Sequence, residues 1–226
     1  MMKMKRKIDS VARFVRSYFD VELSEFIMKI YEGESQDMIL DILTANYKGE
    51  EIDIDKYVPE KSQKFFHSLD YREPKEMLCN IILGWITEDI IMQGLKDFGF
   101  KEVKLAGGDK NRTFAKNYSA RPDLKAIEWT GEEYNIEVIH DFTSFWSRNG
   151  YTELRGNKYK KALKEENPYL IGIDYQKRRL LIVDLRIMRH EEVKSEKWGK
   201  KITKVFFHDS DFKEIEKSKI NIRDLF

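Results

Sequence analysis

The spacing of apolar positions changes once along the chain, close to residue 100. Before that point it is helical. In "DSVARFVRSYF" Val11, Phe14, Val15 and Phe19 share one face behind an Asp/Ser pair suited to an N-cap, so the spacing predicts helices from 9 to 46. "DVELSEFIMKIY" and "SQDMILDILTANY" continue that spacing. "KGEEIDIDKYVPEKS" reads as a polar connection, and "SQKFFHSL" as a short helix. "REPKEMLCNIILGWITEDIIMQGLKDFGF" reads as a long one, with Pro74 in its first turn and Gly99 at its stop. Beyond Gly99 the period falls to two. "KEVKLAG", "PDLKAIEW", "YNIEVIHDF", "YLIGIDY", "RLLIVDLRI" and "KITKVFF" are predicted strands. A helix is expected over "YTELRGNKYKKALKEE", with Gly156 as its weak point, and a last one over "SDFKEIEKSK".

The order is a helical N-terminal region, 1–72, suited to dimerisation or DNA contact, followed by an α-β-β-β-α-β core over 73–226. A helix between the strands at 134–142 and 169–175 requires a crossover. The expected fold class is therefore α/β, a mixed sheet flanked by helices.

Composition narrows the class of protein. A chain of 226 residues that is 41% hydrophobic can bury a core. No apolar run reaches the roughly 18 residues of a membrane span, and no apolar stretch follows the basic start "MMKMKRKIDS", so neither membrane nor secretion is expected. One cysteine, Cys79, excludes an internal disulfide and suits a cytoplasmic, prokaryotic setting. Charged residues at 36% lean toward a thermophile. Charge is also unevenly spread: residues 1–100 hold 14 basic and 19 acidic side chains, residues 148–204 hold 16 and 8. The basic stretch suits a polyanion partner, and a solvated Lys/Glu surface is the bland explanation.

The candidate chemistry lies in "RPDLKAIEWTGEEYNIEVIHDF". Alternation puts Asp123, Lys125 and Ile127 on one face of the first strand, and Asn135, Glu137, Ile139 and Asp141 on one face of the second. A hairpin brings Asp123 and Glu137 together. Two adjacent carboxylates repel unless a cation neutralises them, and Mg²⁺, or Mn²⁺ in its place, does so through oxygen ligands. The competing explanation is a hairpin with two solvent-facing acids. His140 falls on the opposite face from Glu137, where a structural role is expected. No nucleophile elbow, Cys–His pair or phosphate-binding glycine loop is present.

This segment resembles the PD-(D/E)xK nuclease core shared by type II restriction endonucleases, junction resolvases and repair nucleases. Pro122-Asp123 matches the PD, and Glu137-Val138-Ile139 matches the second half of the motif. The preceding "GWITEDIIMQGLKDFGF" is similar to the helix that lends these nucleases a further acid, here Glu88, and "LRGNKYKKALKEENPYLIGID" to their helix-then-strand continuation. The likeness covers roughly residues 75–186. It implies a restriction-endonuclease-like fold and hydrolysis of DNA phosphodiesters by metal-activated water. Asp123, Glu137 and the Val138 carbonyl would hold the metal. A homodimer cutting a short palindrome in double-stranded DNA, as in a restriction system, is the leading expectation. A structure-specific repair or junction nuclease, and an inactive DNA-binding module on the same fold, are the alternatives.

The motif fails at one position: the expected lysine is Ile139. Three explanations remain open. Lys158 lies four residues from both Leu154 and Ala162 and would project from the sheet-facing side of a helix. Lys125 is second in rank, two residues after Asp123. The third explanation is a site that binds without cutting. Two basic segments flank the acids, "GGDKNRTFAKNYSAR" and "SFWSRNGYTELRGNKYKK". From them Arg112, Lys116, Arg121, Arg148, Arg155 and Lys160 are the candidate DNA contacts.

Overall fold

The N-terminal helix starts earlier than its cap signal suggests. In the structure, a computed structural model that describes residues 2–68, 73–107, 114, 121–194 and 201–214, α1 spans Met2–Phe19. The basic prefix carries Met4 and Ile8 in phase with Val11 and Val15, and all four are buried, so the apolar face extends backwards through the lysines. Asp9 and Ser10 are thus interior to the helix and cap nothing. Ser10 is buried, and its hydroxyl donates to the Arg6 carbonyl at 2.8 Å. Helices α2 (Leu23–Ile30), α3 (Gly33–Lys48), α4 (Glu60–Ser68) and α5 (Pro74–Asp97) follow. Pro74 opens α5, and Gly99 takes a φ of 92° just past its end, a conformation that favours glycine. By length and composition α5 could cross a membrane. Of its most apolar window, 67% is buried within the protein, as in the core helix of a folded domain.

The described residues divide into two compact units. One runs to Ile90 and includes Phe114; the other comprises Ile91 to Gly107 and everything described from Arg121 onward. The division falls within α5, whereas the sequence suggested a boundary before it, at 72/73. In the first unit the inward residues of the helices, such as Ile27, Ile39, Ile42, Leu78 and Ile82, are almost wholly buried.

The second unit is built on a six-stranded mixed sheet. Its strands are β1 (Glu102–Leu105), β2 (Leu124–Ile127), β3 (Glu133–Asp141), β5 (Pro168–Asp174), β6 (Arg179–Asp184) and β9 (Phe212–Glu214), in that spatial order. β2 and β3 are antiparallel neighbours, and β3 runs parallel to β5, which is the crossover that the intervening helix demanded. A second, antiparallel sheet of three strands has the order β4 (Tyr151–Arg155), β8 (Lys201–Phe206), β7 (His190–Lys194).

The connection between β3 and β5 departs from the single long helix expected there. A short helix α6 (Phe145–Asn149) comes first, then strand β4, and only then α7 (Gly156–Ala162). Residues 151–155 alternate in burial, with Thr152 and Leu154 inside, and pair with β8. Five residues are too few to separate a strand's alternation from a helical stripe, and tertiary pairing decides. At the C-terminal end, Phe212–Glu214 pairs with β6 as a strand where a helix was expected. The rest of that expected helix lies outside the described residues. β7 carries "HEEVK", too polar an edge strand to give a hydrophobic signal.

Candidate active site

Asp123 directly precedes β2. The register pairs Leu124 with Ile136, so Asp123 stands across from Glu137 one step further along the hairpin. Its backbone is fixed on both sides: its N–H donates to the Ile136 carbonyl at 3.0 Å, and its carbonyl accepts from Ala106 at 2.9 Å. Its carboxylate is aimed as well, because the Val138 N–H donates to Asp123 Oδ2 at 2.9 Å.

Glu137 is 1% exposed, in the middle of β3. Neither of its carboxyl oxygens has a hydrogen-bond partner among the described residues. Lys158 Nζ touches Glu137 Oε2, as a charge contact without hydrogen-bond geometry. The same ammonium donates to Asp123 Oδ1 at 3.1 Å and Oδ2 at 3.0 Å. Burial, reinforced by the Asp123 charge, pushes the Glu137 carboxyl up to about 8 against the opposing pull of Lys158. Burial works against the Lys158 charge, but the Asp123 and Glu137 carboxylates outweigh it and leave its pKa above the ordinary lysine value. Lys158 is therefore a fixed cation at neutral pH.

Lys158 reaches this position from α7, though only half of the spacing argument for it holds. Ala162 is buried on the sheet-facing side of α7, as expected. Leu154 belongs to β4 and takes no part in the helix. Lys125 does not approach the pair. It is bonded to Glu133 at 2.5 Å, further along the hairpin.

The position two residues after Glu137 is apolar for a visible reason. Ile139 packs against the cluster containing Trp146, Tyr159, Leu170 and Leu181. Across the sheet it pairs with Gly172, and a Cβ there would come within 2.7 Å of both Ile139 Cγ1 and the Trp146 ring. Gly172 is a glycine because two side chains occupy that space. A lysine at 139 would point its ammonium into this cluster. No short-range signal in the sequence announces the Ile139–Trp146–Gly172 contact.

The remaining candidates are spread more widely. Asp141 is structural: it accepts from the Thr143 N–H at 2.7 Å, the Thr143 hydroxyl at 3.0 Å and the Trp146 N–H at 2.8 Å, which ties down the entry to α6. His140 lies on the other face of β3 and packs against Phe142. Glu88 is half-buried on α5 in the first unit, whereas Asp123, Glu137 and Lys158 belong to the second. Arg121, Arg148 and Arg155 are exposed. Lys160 is exposed and ion-paired with Glu192 at 2.7 Å. Arg112 and Lys116 lie outside the described residues.

Among the described residues no group of three or more His, Cys, Asp and Glu side chains is arranged to hold a metal ion. The Asp123–Glu137 pair nonetheless has the donor chemistry of a hard divalent cation, with two carboxylates close together and one of them buried without hydrogen bonds. No protein-family model, curated protein or solved structure matches this chain.

Proposed function

We propose that this protein is a Mg²⁺-dependent endonuclease that hydrolyses phosphodiester bonds in double-stranded DNA. The observation that carries this reading is the Asp123–Glu137–Lys158 constellation. Two acids from adjacent antiparallel strands meet one ammonium from a following helix, and the more buried acid has that ammonium as its partner. A carboxylate so placed is costly in a purely structural role, and gains when a cation joins it. Bound between these acids, Mg²⁺ or Mn²⁺ would polarise a phosphate oxygen and lower the pKa of a water molecule.

The protein's own residues have separable tasks. Asp123 and Glu137 would hold the ion, with the Val138 carbonyl as a further oxygen. The Val138 N–H keeps Asp123 turned inward. Lys158, the amine beside both acids, would serve as a cation facing the phosphate. Glu88 is assigned the supporting acid by the resemblance alone. The choice of a type II restriction enzyme, a homodimer acting on a palindrome, rests on the same analogy. The position of Lys158 weakens the chief argument for a non-cutting module, since an amine stands at the acids although Ile139 supplies none.

Plasmid digestion with Mg²⁺ and with EDTA tests the proposal. Discrete metal-dependent fragments, lost in Asp123→Ala, are expected. Preference for branched over linear duplex would move the assignment to a structure-specific nuclease. Tight duplex binding without any cleavage would leave the inactive module.

A further inference from the structure

The segment that carries Lys158 is charged beyond what its packing uses. Residues 155–164, "RGNKYKKALK", hold five basic side chains and no acid. Lys158 stands at Asp123 and Glu137, and Lys160 is paired with Glu192. Lys161 and Lys164 are exposed and make no ion pair among the described residues. Moreover, the chain tightens where they sit. The Lys164 N–H donates to the Lys161 carbonyl at 2.9 Å, and the Glu165 N–H to Ala162 at 3.0 Å, which are three-residue steps. In such a 3₁₀ turn residues three apart eclipse, with a rise of about 6 Å between them. Residues 161 and 164 thereby fall on one side of the turn, and two like charges so placed cost free energy in isolation.

We infer that Lys161 and Lys164 hold phosphates two nucleotides apart on the DNA strand that enters the Asp123–Glu137 site, so that α7 and the turn after it form a phosphate rail that begins beside Lys158. This inference rests on the nuclease reading. Three observations support it. Lys161 lies one turn beyond Lys158 on the same short helix, so a strand whose phosphate meets Lys158 passes the next two cations. The rise of about 6 Å matches roughly two nucleotides of one duplex strand at 3.4 Å each. The exposed charges of Lys161 and Lys164 suit a polyanion.

The test is the salt dependence of binding to a short labelled duplex, measured on the full chain in EDTA so that nothing is cut. Lys161→Gln/Lys164→Gln should flatten the log–log slope by about 1.8, since each phosphate contact contributes about 0.9. Lys161→Arg/Lys164→Arg should keep the parent slope. Lys29→Gln/Lys101→Gln, the same charge loss at other exposed lysines, should leave it unchanged. If the two lysines merely favour the C-terminal end of α7, the glutamine pair lowers the melting temperature and keeps the slope, and the rail is wrong. An equal effect in the control pair also overturns it. A parent that cuts DNA while the glutamine pair keeps its slope leaves the nuclease reading standing and removes only the rail. A parent with no affinity for DNA removes both.

Discussion

Two buried acids on neighbouring strands of the six-stranded sheet have opposite surroundings. Asp174, at the end of β5, is fully buried and fully satisfied. Its Oδ1 accepts the Gln176 and Lys177 N–H groups, both at 3.1 Å, and its Oδ2 accepts from Arg179 and from the Ser147 hydroxyl. Arg179 is held in turn by Asp209 and lies over the Phe212 ring. Glu137, on β3, is as deeply buried, and its partner is the Lys158 ammonium, which it shares with Asp123. Burial alone does not distinguish these two acids; the kind and number of their partners do. The Asp174 cluster closes on itself and ties the β5–β6 turn to α6 and β9. Glu137 instead shares one ammonium with a second acid, Asp123.

Removing each acid is the sharpest way to break this contrast. Asp123→Ala and Glu137→Ala should reduce plasmid cleavage by about 10³-fold or more, several kcal/mol of lost charge stabilisation. Their melting temperatures should stay close to that of the parent. Duplex binding in EDTA should hold or tighten, because two carboxylates that repel phosphate have been thinned to one. Asp174→Ala should do the reverse. It leaves Arg179 buried without its main partner and should cost about 3–5 kcal/mol of stability, with activity lost only as the protein unfolds. If Asp174→Ala abolishes cleavage at full stability, or Glu137→Ala unfolds the protein, the contrast is false.

The two lysines proposed from sequence give the next largest effect. Lys158→Ala should slow cleavage by roughly 10²–10⁴, the range for a positioned acid–base group. Lys125→Ala should change it by no more than a few-fold, because its ammonium is spent on Glu133. Equal losses in the two variants would mean that net charge near the site, and not position, is what the reaction uses.

How much of this was legible beforehand follows from the range of the signals involved. The helical region, the PD strand, the acid strand and the parallel crossover all announce themselves within a dozen residues through period, caps and turn chemistry. The pairing of Asp123 with Glu137 follows from strand alternation across one hairpin. β4 was hidden because its alternation spans only five residues and merges with the helical stripe after it. The apolar residue at 139 was legible as an exception and opaque as to cause, since its partners Trp146 and Gly172 come from other elements. The spacing of Lys158 from Ala162 points it toward the sheet, whereas its spacing from Leu154 carries no information, because Leu154 belongs to β4.

That cause can be probed directly. Ile139→Lys would restore the motif on paper, yet it places an ammonium beside the Trp146 ring and the Gly172 backbone. It should lower stability by about 1–3 kcal/mol, as for other ill-fitting core substitutions, and should fail to rescue Lys158→Ala. Rescue at unchanged melting temperature would show that the strand position is free to serve the site.

The last test concerns pH and the Glu137 carboxyl. The Glu137 carboxyl titrates near 8 in the folded protein against 4.5 for an ordinary glutamate, chiefly because it is buried. Between those values the folded state binds a proton that the unfolded state has released. The stability that this proton brings is complete below 4.5 and is lost as the pH rises through 8, at a slope of up to about 1.4 kcal/mol per pH unit. Glu137→Gln has no such proton to lose. The melting temperature of the parent in EDTA should therefore fall relative to Glu137→Gln between pH 5 and pH 9. Adding Mg²⁺ should reverse the trend in the parent, because the ion displaces the proton and binds more tightly as the pH approaches 8. Parallel melting curves for the two proteins across that range would mean that Glu137 is already ionised at neutral pH, held by Lys158 alone. The pair would then be a closed ion pair of the same kind as Asp174 and Arg179.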